Sequence, residues 1–282
     1  MTTPKKHHFV PQMLLRNFCD VDGKIWHYNK KFGKRRVISA NPESIFFNTN
    51  LYRIETGQNN DLSAERYFSH MEGLAKPVID KMCISARNGK IPALTDEDKK
   101  IWNMFLFLQW KRTPDSLSEL KENVDMEVLI NDCINDFGKI YRSLADEERR
   151  NYFTTNVKQR MSNNAWIMAI GHFGPEVEAA IRDMSIAIAV IRKSKKSFII
   201  GSRPVAKLTP PSTSHLGHPG VEVWLPVASD VAIGIFAGKG KDLVIQLNDF
   251  EWLREFNFSI YIQSTVIAGR SERLVKSLIT AR

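Results

Sequence analysis

A single change in hydrophobic patterning constrains this chain more than any other feature. From about residue 62 to residue 192 the apolar side chains recur at helical spacing, with Thr95, Thr113-Pro114 and Gly174-Pro175 marking boundaries. Beyond residue 193 the pattern becomes short runs, SFIIG, PVAKL, VEVWLPV, VAIGIFA, LVIQL and STVIAG, parted by Gly, Pro and Ser. Their Val, Ile and aromatic content suits a pleated, buried surface. Two further helical stretches lie near 248–257 and 271–281. Helices and strands in separate blocks predict the α+β class. A chain of 282 residues buries roughly three quarters of its unfolded surface. One domain over 1–282 is therefore expected, with a motif-and-hairpin region at 1–60, a helical region at 61–192 and a β-rich region at 193–282.

Finer local expectations follow from residue type. PQMLLRNF (11–18) reads as a short helix with Pro11 at its start, where the missing N–H costs little. KIWHYNK and GKRRVIS read as a hairpin turning at Lys31–Gly33, and Leu51–Ile54 as a short strand before the loop TGQNND. The helical stretch 62–88 contains Gly73 and Pro77 and predicts a kink or two helices in tandem. Helical patterns also cover about 116–142, 146–161 and 175–192. Gly238-Lys239-Gly240-Lys241 reads as a hairpin turn.

Composition excludes several classes. No apolar run approaches the roughly 18 residues of a membrane span. MTTPKKHHFVPQ lacks the apolar stretch of a secretory signal. Cys19, Cys83 and Cys133 form no CxxC pair, so buried, reduced thiols in a cytoplasmic protein are expected. There is no Gly-rich phosphate loop, no GxSxG and no HExxH.

The net charge of +9 is unevenly spread. Residues 1–36, including Lys30, Lys31, Lys34, Arg35 and Arg36, carry +7. Residues 184–221, including Arg192, Lys193, Lys195, Lys196 and Arg203, carry +6 and no acid. If these segments meet in space they would attract a polyanion, so nucleic acid is the expected partner.

Polar residues in apolar surroundings supply the candidate site. On the helix 95–112, Ile101, Phe105, Leu108, Gln109 and Arg112 fall within a sector of about 80°. Met104, Leu106, Phe107 and Trp110 clothe the rest, so the helix is expected to be central. Arg112 then faces inward, where a guanidinium needs a carboxylate, carbonyls or an anionic ligand; outward snorkelling from the last turn is the alternative. On the preceding helix, Phe68, Met71, Ala75, Val78, Ile79 and Met82 form an apolar stripe bordered by Glu72 and, seven residues earlier, Glu65. His70 points to solvent. The pair His7-His8 precedes Pro11, and a helix N-terminus would keep a ring neutral and free to ligate or accept a proton. His215 and His218 have i,i+3 spacing but no helix to hold it.

These residues resemble a known family. Lys6-His7-His8-Phe9-Val10-Pro11-Gln12, with Leu15-Arg16-Asn17-Phe18 and Gly23-Lys24-Ile25-Trp26, is similar to the N-terminal hallmark of the largely prokaryotic domain-of-unknown-function family 4238. Asn41-Pro42-Glu43-Ser44, the Glu72 helix, Gln109-Trp110-Lys111-Arg112-Thr113-Pro114 and the strands at 198–205 and 221–227 extend the likeness. Relatives often carry a Ser-Asp-Asn-Pro-like turn where this chain has Gly201-Ser202-Arg203-Pro204, without the acid. The resemblance implies no particular activity, but it places His7, His8, Glu72, Gln109 and Arg112 on family motifs. His-His-Phe-Val-Pro is also similar to the first strand of ββα-metal nucleases, although no His follows Asn29 until His70.

The expectation drawn is a metal-assisted phosphodiesterase, a nuclease. His7 or His8 would act as base, Gln109 and Arg112 would hold the phosphate, and His8, Glu65 and Glu72 would bind Mg or Mn. The competing expectation is a non-catalytic nucleic-acid-binding or regulatory protein in which the same residues form a structural network. A small-molecule or nucleotide site at the same place is a third.

Overall fold

In the computed structural model, the residues described are 6–32, 36–56, 59–123, 125–172, 174–182, 184–192, 195–209, 216, 218–237, 241–248 and 250–280. The chain opens with strand β1 (Lys6–His8), the single turn α1 (Gln12–Leu15) capped by Pro11, and a 3-10 turn over Arg16–Phe18. Strands β2 (Ile25–Asn29) and β3 (Ile38–Ala40) pair antiparallel, with Ile25 opposite Ala40, as expected for the hairpin. Next come β4 (Phe47–Thr49), β5 (Ile54–Thr56) and β6 (Asn59–Asp61). β1 lies antiparallel on β4, with His7 opposite Asn48.

Two local expectations fail here. Leu51 and Tyr52 form a turn, and the strand begins at Ile54. The last three residues of the stretch TGQNND, Asn59–Asp61, instead return as β6, pairing Ile54 with Asp61. Asn50 takes a left-handed backbone (φ 57°), which reverses the chain and ends the run of β structure before Leu51.

Helix α2 (Ser63–Arg87) runs unbroken past Gly73 and Pro77, so tandem helices are not formed. The packing of Phe68, Met71, Ala75, Val78, Ile79 and Met82 in the core carries the helix across the proline. Helix α3 (Asp96–Lys111) starts at a reciprocal cap: Thr95 Oγ1 accepts from Asp98 N, and Asp98 accepts from Thr95 N. Trp102 and every residue from Phe105 to Gln109 are buried, so α3 is the central helix the sequence predicts. Pro114 closes off α3 and begins α4 (Pro114–Asn123), followed by α5 (Met126–Ile140), α6 (Asp146–Tyr152), α7 (Thr155–Ile170) and α8 (Pro175–Arg182).

The last predicted helix ends ten residues early. Residues Ser185–Val190 form β7, buried along its whole length. A short, continuously apolar run fits a buried strand and a buried helix equally well by pattern, and sheet pairing on both sides decides for the strand. After it come β8 (Ile200–Gly201), β9 (Ala206–Leu208), β10 (Glu222–Ala228), β11 (Val231–Phe236), β12 (Leu243–Gln246), α9 (Phe250–Gln263), β13 (Val266–Gly269) and α10 (Glu272–Thr280). The first sheet has the order β12-β7-β11-β10-β9 and the second β3-β2-β13-β8.

β12 runs parallel to β7, which separates it from β11. The connection through Gly238-Lys239-Gly240-Lys241 is therefore a crossover and not a hairpin turn; residues 238–240 themselves lie outside the described residues. The second sheet joins the two ends of the chain, since β13 pairs with β2. One continuous cluster of buried apolar residues runs from Phe9 to Ile279. The protein is thus α+β, with helices from Ser63 to Arg182 and both larger sheets drawing on the C-terminal part.

Candidate functional site

The alternation of a strand separates the two leading histidines. In β1, His7 points into the core and is fully buried, while His8 is half-buried on the other face. His7 Nδ1 accepts a hydrogen bond from Tyr52 N at 3.0 Å, so in this arrangement Nδ1 carries no proton. Glu65 Oε2 lies 3.8 Å from the same nitrogen. The His7 ring stacks on Tyr52 at 5.8 Å, and Tyr52 meets Phe68 edge-on at 4.6 Å.

Arg112 follows directly on α3 and its side chain is 1 % exposed. Its Nη2 donates to Glu72 Oε1 at 2.8 Å and to His8 O at 3.3 Å, and its Nε donates to Phe9 O at 3.0 Å. The Phe68 ring lies 5.4 Å beneath the guanidinium. Tyr52 Oη donates to Arg112 O at 2.6 Å. Of the two orientations expected for Arg112 the inward one is taken, and its partners are a carboxylate and two main-chain carbonyls. Removing all of them would strand a charge in a low-dielectric interior, so the geometry is mutually enforcing.

The structure thus brings together His7, His8, Glu65, Glu72 and Arg112, and adds Tyr52, which the sequence reading missed. The available signal was a lone aromatic in the polar stretch NTNLYRIE. Gln109 is fully buried on the same sector of α3, yet both its side-chain amide atoms lack a hydrogen-bond partner among the described residues. His8 Nε2 is likewise buried and without a partner among the described residues. The His8 pKa is lowered chiefly by burial, which a hydrogen bond to the Glu43 main chain and the charge of Glu72 oppose. The direction matches the sequence expectation, but the cause is desolvation and not a helix terminus, since α1 has a single turn. Glu65 is pushed up by burial, against the pull of Arg112. His70 is exposed, as expected.

Among the described residues, no group of three or more His, Cys, Asp or Glu side chains is disposed to hold a metal ion. The set His8, Glu65 and Glu72 therefore does not form a metal-ligating trio: Glu72 is held by Arg112 and Glu65 lies beside His7, on the other side of β1 from the His8 ring. His218 Nδ1 accepts from Gly220 N, and His215 lies outside the described residues. Of the thiols, Cys83 is buried and pushed up to about 12 by burial, Cys19 is half-buried and Cys133 is exposed. The expectation of three buried thiols is corrected, because Cys133 sits on the outer side of α5.

The basic segments meet in part. Lys30 N donates to Thr265 O and Arg203 N to Ser264 Oγ, so both segments flank the start of β13. Lys30 is tucked in, its Nζ donating to Tyr261 O at 2.5 Å, and Arg203 pairs with Glu119. Arg192 lies elsewhere, its Nη2 donating to Arg87 O. Lys31, Arg36, Lys195 and Lys196 are exposed, and Lys34, Arg35 and Lys193 lie outside the described residues. The turn Gly201-Ser202-Arg203-Pro204 recovers a carboxylate from another element: Ser202 Oγ donates to Asp115 Oδ2 at 2.5 Å, and Thr265 Oγ1 to Asp115 Oδ1 at 2.9 Å.

Fold and site define a basic α+β protein whose N-terminal strand is clasped by a buried arginine on its central helix. The chain belongs to the family described as "Protein of unknown function (DUF4238)", whose sequence model matches residues 6–272. No curated protein and no solved structure matches it. Among the described residues, no helix is long and apolar enough to cross a membrane.

Proposed function

We propose that the protein binds nucleic acid without cleaving it, and that the family motifs His7-His8 and Gln109–Pro114 meet to build a structural clasp. The observation that carries this reading is the state of Arg112. At 1 % exposure, its guanidinium already holds Glu72 and the carbonyls of His8 and Phe9. A guanidinium so engaged would have to break an ion pair before it could neutralise a phosphate, which costs several kcal/mol in a buried setting, on the order of 3–5 kcal/mol. The net charge of +9 and the exposed cations Lys31, Arg36, Lys195 and Lys196 supply the attraction for a polyanion.

The test is fluorescence anisotropy with labelled single- and double-stranded oligonucleotides over a salt series. Binding should weaken linearly in log–log form as salt rises, and Lys31→Glu with Lys195→Glu should weaken it while leaving the melting temperature in place. No binding by the wild-type protein at low salt overturns the reading.

A metal-assisted phosphodiesterase is the second reading, favoured by one observation: His8 Nε2 is buried and has no hydrogen-bond partner among the described residues. In that reading His8 would be the base or ligand and Glu72 would turn from Arg112 to Mg or Mn. Oligonucleotide cleavage that needs Mg or Mn, and that His8→Ala abolishes without unfolding, decides for it.

A further inference from the structure

The motif Gln109–Pro114 has a second face. About 160° around α3 from Arg112, Trp110 looks away from the clasp. With Phe107, Lys111, Trp166, Arg203 and Leu216 it lines an open cavity of about 480 Å³. A second cavity of about 740 Å³ adjoins it, sharing Phe107 and continuing along α3 past Met104, Asn103 and Lys100 to Arg182 on α8. Together they form a groove between α3 and the α7–α8 corner, with an aromatic floor.

Phe107 and Trp166 are buried, and Trp166 Nε1 is spent on Lys111 O at 3.2 Å. Trp110 is only part-buried and packs on Phe107 with ring centres 5.5 Å apart, so it is the ring open to a ligand. Charges of both signs line the groove, Lys111, Arg203 and Glu119 in the Trp110 cavity and Lys99, Lys100, Arg182, Asp96 and Glu178 in the second, so each carries a small positive excess; Lys111 Nζ donates to His172 O at 2.7 Å. Arg203 pairs with Glu119 at 2.5 Å, while Arg182, 73 % exposed, reaches Glu178 only at 3.7 Å. An aromatic platform whose flanks carry a small excess of positive charge favours a ligand with a flat ring and an anionic backbone repeating along a line.

We infer that this groove takes single-stranded nucleic acid, with a base stacked on Trp110 and a neighbouring phosphate drawn to Lys111 and Arg203, which exchange His172 O and the exposed Glu119 carboxylate for it. The inference rests on the nucleic-acid reading above and names the form of the ligand and its seat. A duplex cannot offer an unstacked base to Trp110, so single strands are preferred over duplexes of the same length.

The experiment is anisotropy with a fluorescent oligo-dT and its duplex, together with 4-thiouridine photocrosslinking to the wild-type protein and peptide mapping. Trp110→Ala should weaken oligo-dT binding by about 5- to 150-fold, the range of a lost base–aromatic stack. Trp110→Phe, which keeps a ring and the packing on Phe107, should stay within a few-fold of wild type. Crosslinks should map to peptides containing Trp110 or Leu216. Crosslinks elsewhere, or oligo-dT affinity indifferent to Trp110→Ala while Lys31→Glu with Lys195→Glu still weakens it, overturn the groove and leave the nucleic-acid reading standing. No binding of either oligonucleotide by the wild type overturns both.

Discussion

Cutting Glu72 back to alanine leaves Arg112 buried with only main-chain carbonyls for company. Breaking a buried ion pair from one side costs about 3–5 kcal/mol, and losing one charge-assisted hydrogen bond about 1.5–3 kcal/mol. Glu72 is 29 % exposed, so water can follow the missing carboxylate to Nη2, and Nε keeps its bond to Phe9 O. The lower part of the range therefore applies, about 2–3 kcal/mol. Arg112→Met should cost a similar amount by a different route, since it strands the carbonyls of His8 and Phe9 while Glu72 swings to solvent. The bond from Tyr52 Oη survives, because it ends on the main chain of residue 112. In the double variant no buried charge remains, so the loss should fall short of the sum of the singles by about 1–2 kcal/mol. Urea unfolding followed by circular dichroism measures all four proteins. Single variants within about 0.5 kcal/mol of wild type, or strictly additive losses, would refute the clasp.

His8 and His27 both have pKa values lowered by burial, so protons bind the unfolded chain first, and stability should fall as pH drops below about 6.5. Replacing both with Asn should flatten the melting temperature between pH 5 and 7, and an unchanged profile would contradict the assignment. Glu65 is raised by burial, so its ionisation works against folding as pH rises through its folded value; Glu65→Gln should gain stability at neutral pH relative to pH 4, read from denaturant midpoints at both. A Cβ at Gly234 would sit 2.5 Å from Trp224 Cδ2 and 2.9 Å from Val223 O, so Gly234→Ala should cost about 1–3 kcal/mol of overpacking in urea unfolding. A thiol reagent should label Cys133 rapidly and Cys83 only under denaturing conditions; fast native labelling of Cys83 would contradict its burial.

Much of the local structure was legible because it is set by neighbours along the chain. The Thr95–Asp98 cap, the stop at Thr113-Pro114, the all-round apolar α3 and the late strands each depend on spacing within a few residues. Periodicity placed Arg112 in the sector of Phe105 and Gln109 but left inward burial and outward snorkelling both open, and the structure decides for the inward one. Periodicity could not tell that SIAIAV is the strand β7, because a run buried on every side looks alike in both states until its sheet partners are known. It could not show that the Glu72 helix passes Pro77 unbroken, because tertiary packing outweighs the lost hydrogen bond.

The sequence by itself therefore determined the class, the central helix and the positive charge. Only the tertiary structure decided which groups meet: Tyr52 with His7 and Arg112, Asp115 with Ser202, and the three partners that close around one guanidinium. These contacts join residues 40 to 150 positions apart. A hydrogen bond across such a separation leaves no period in the sequence, because it is fixed by the packing of whole elements and not by the spacing of residues within one.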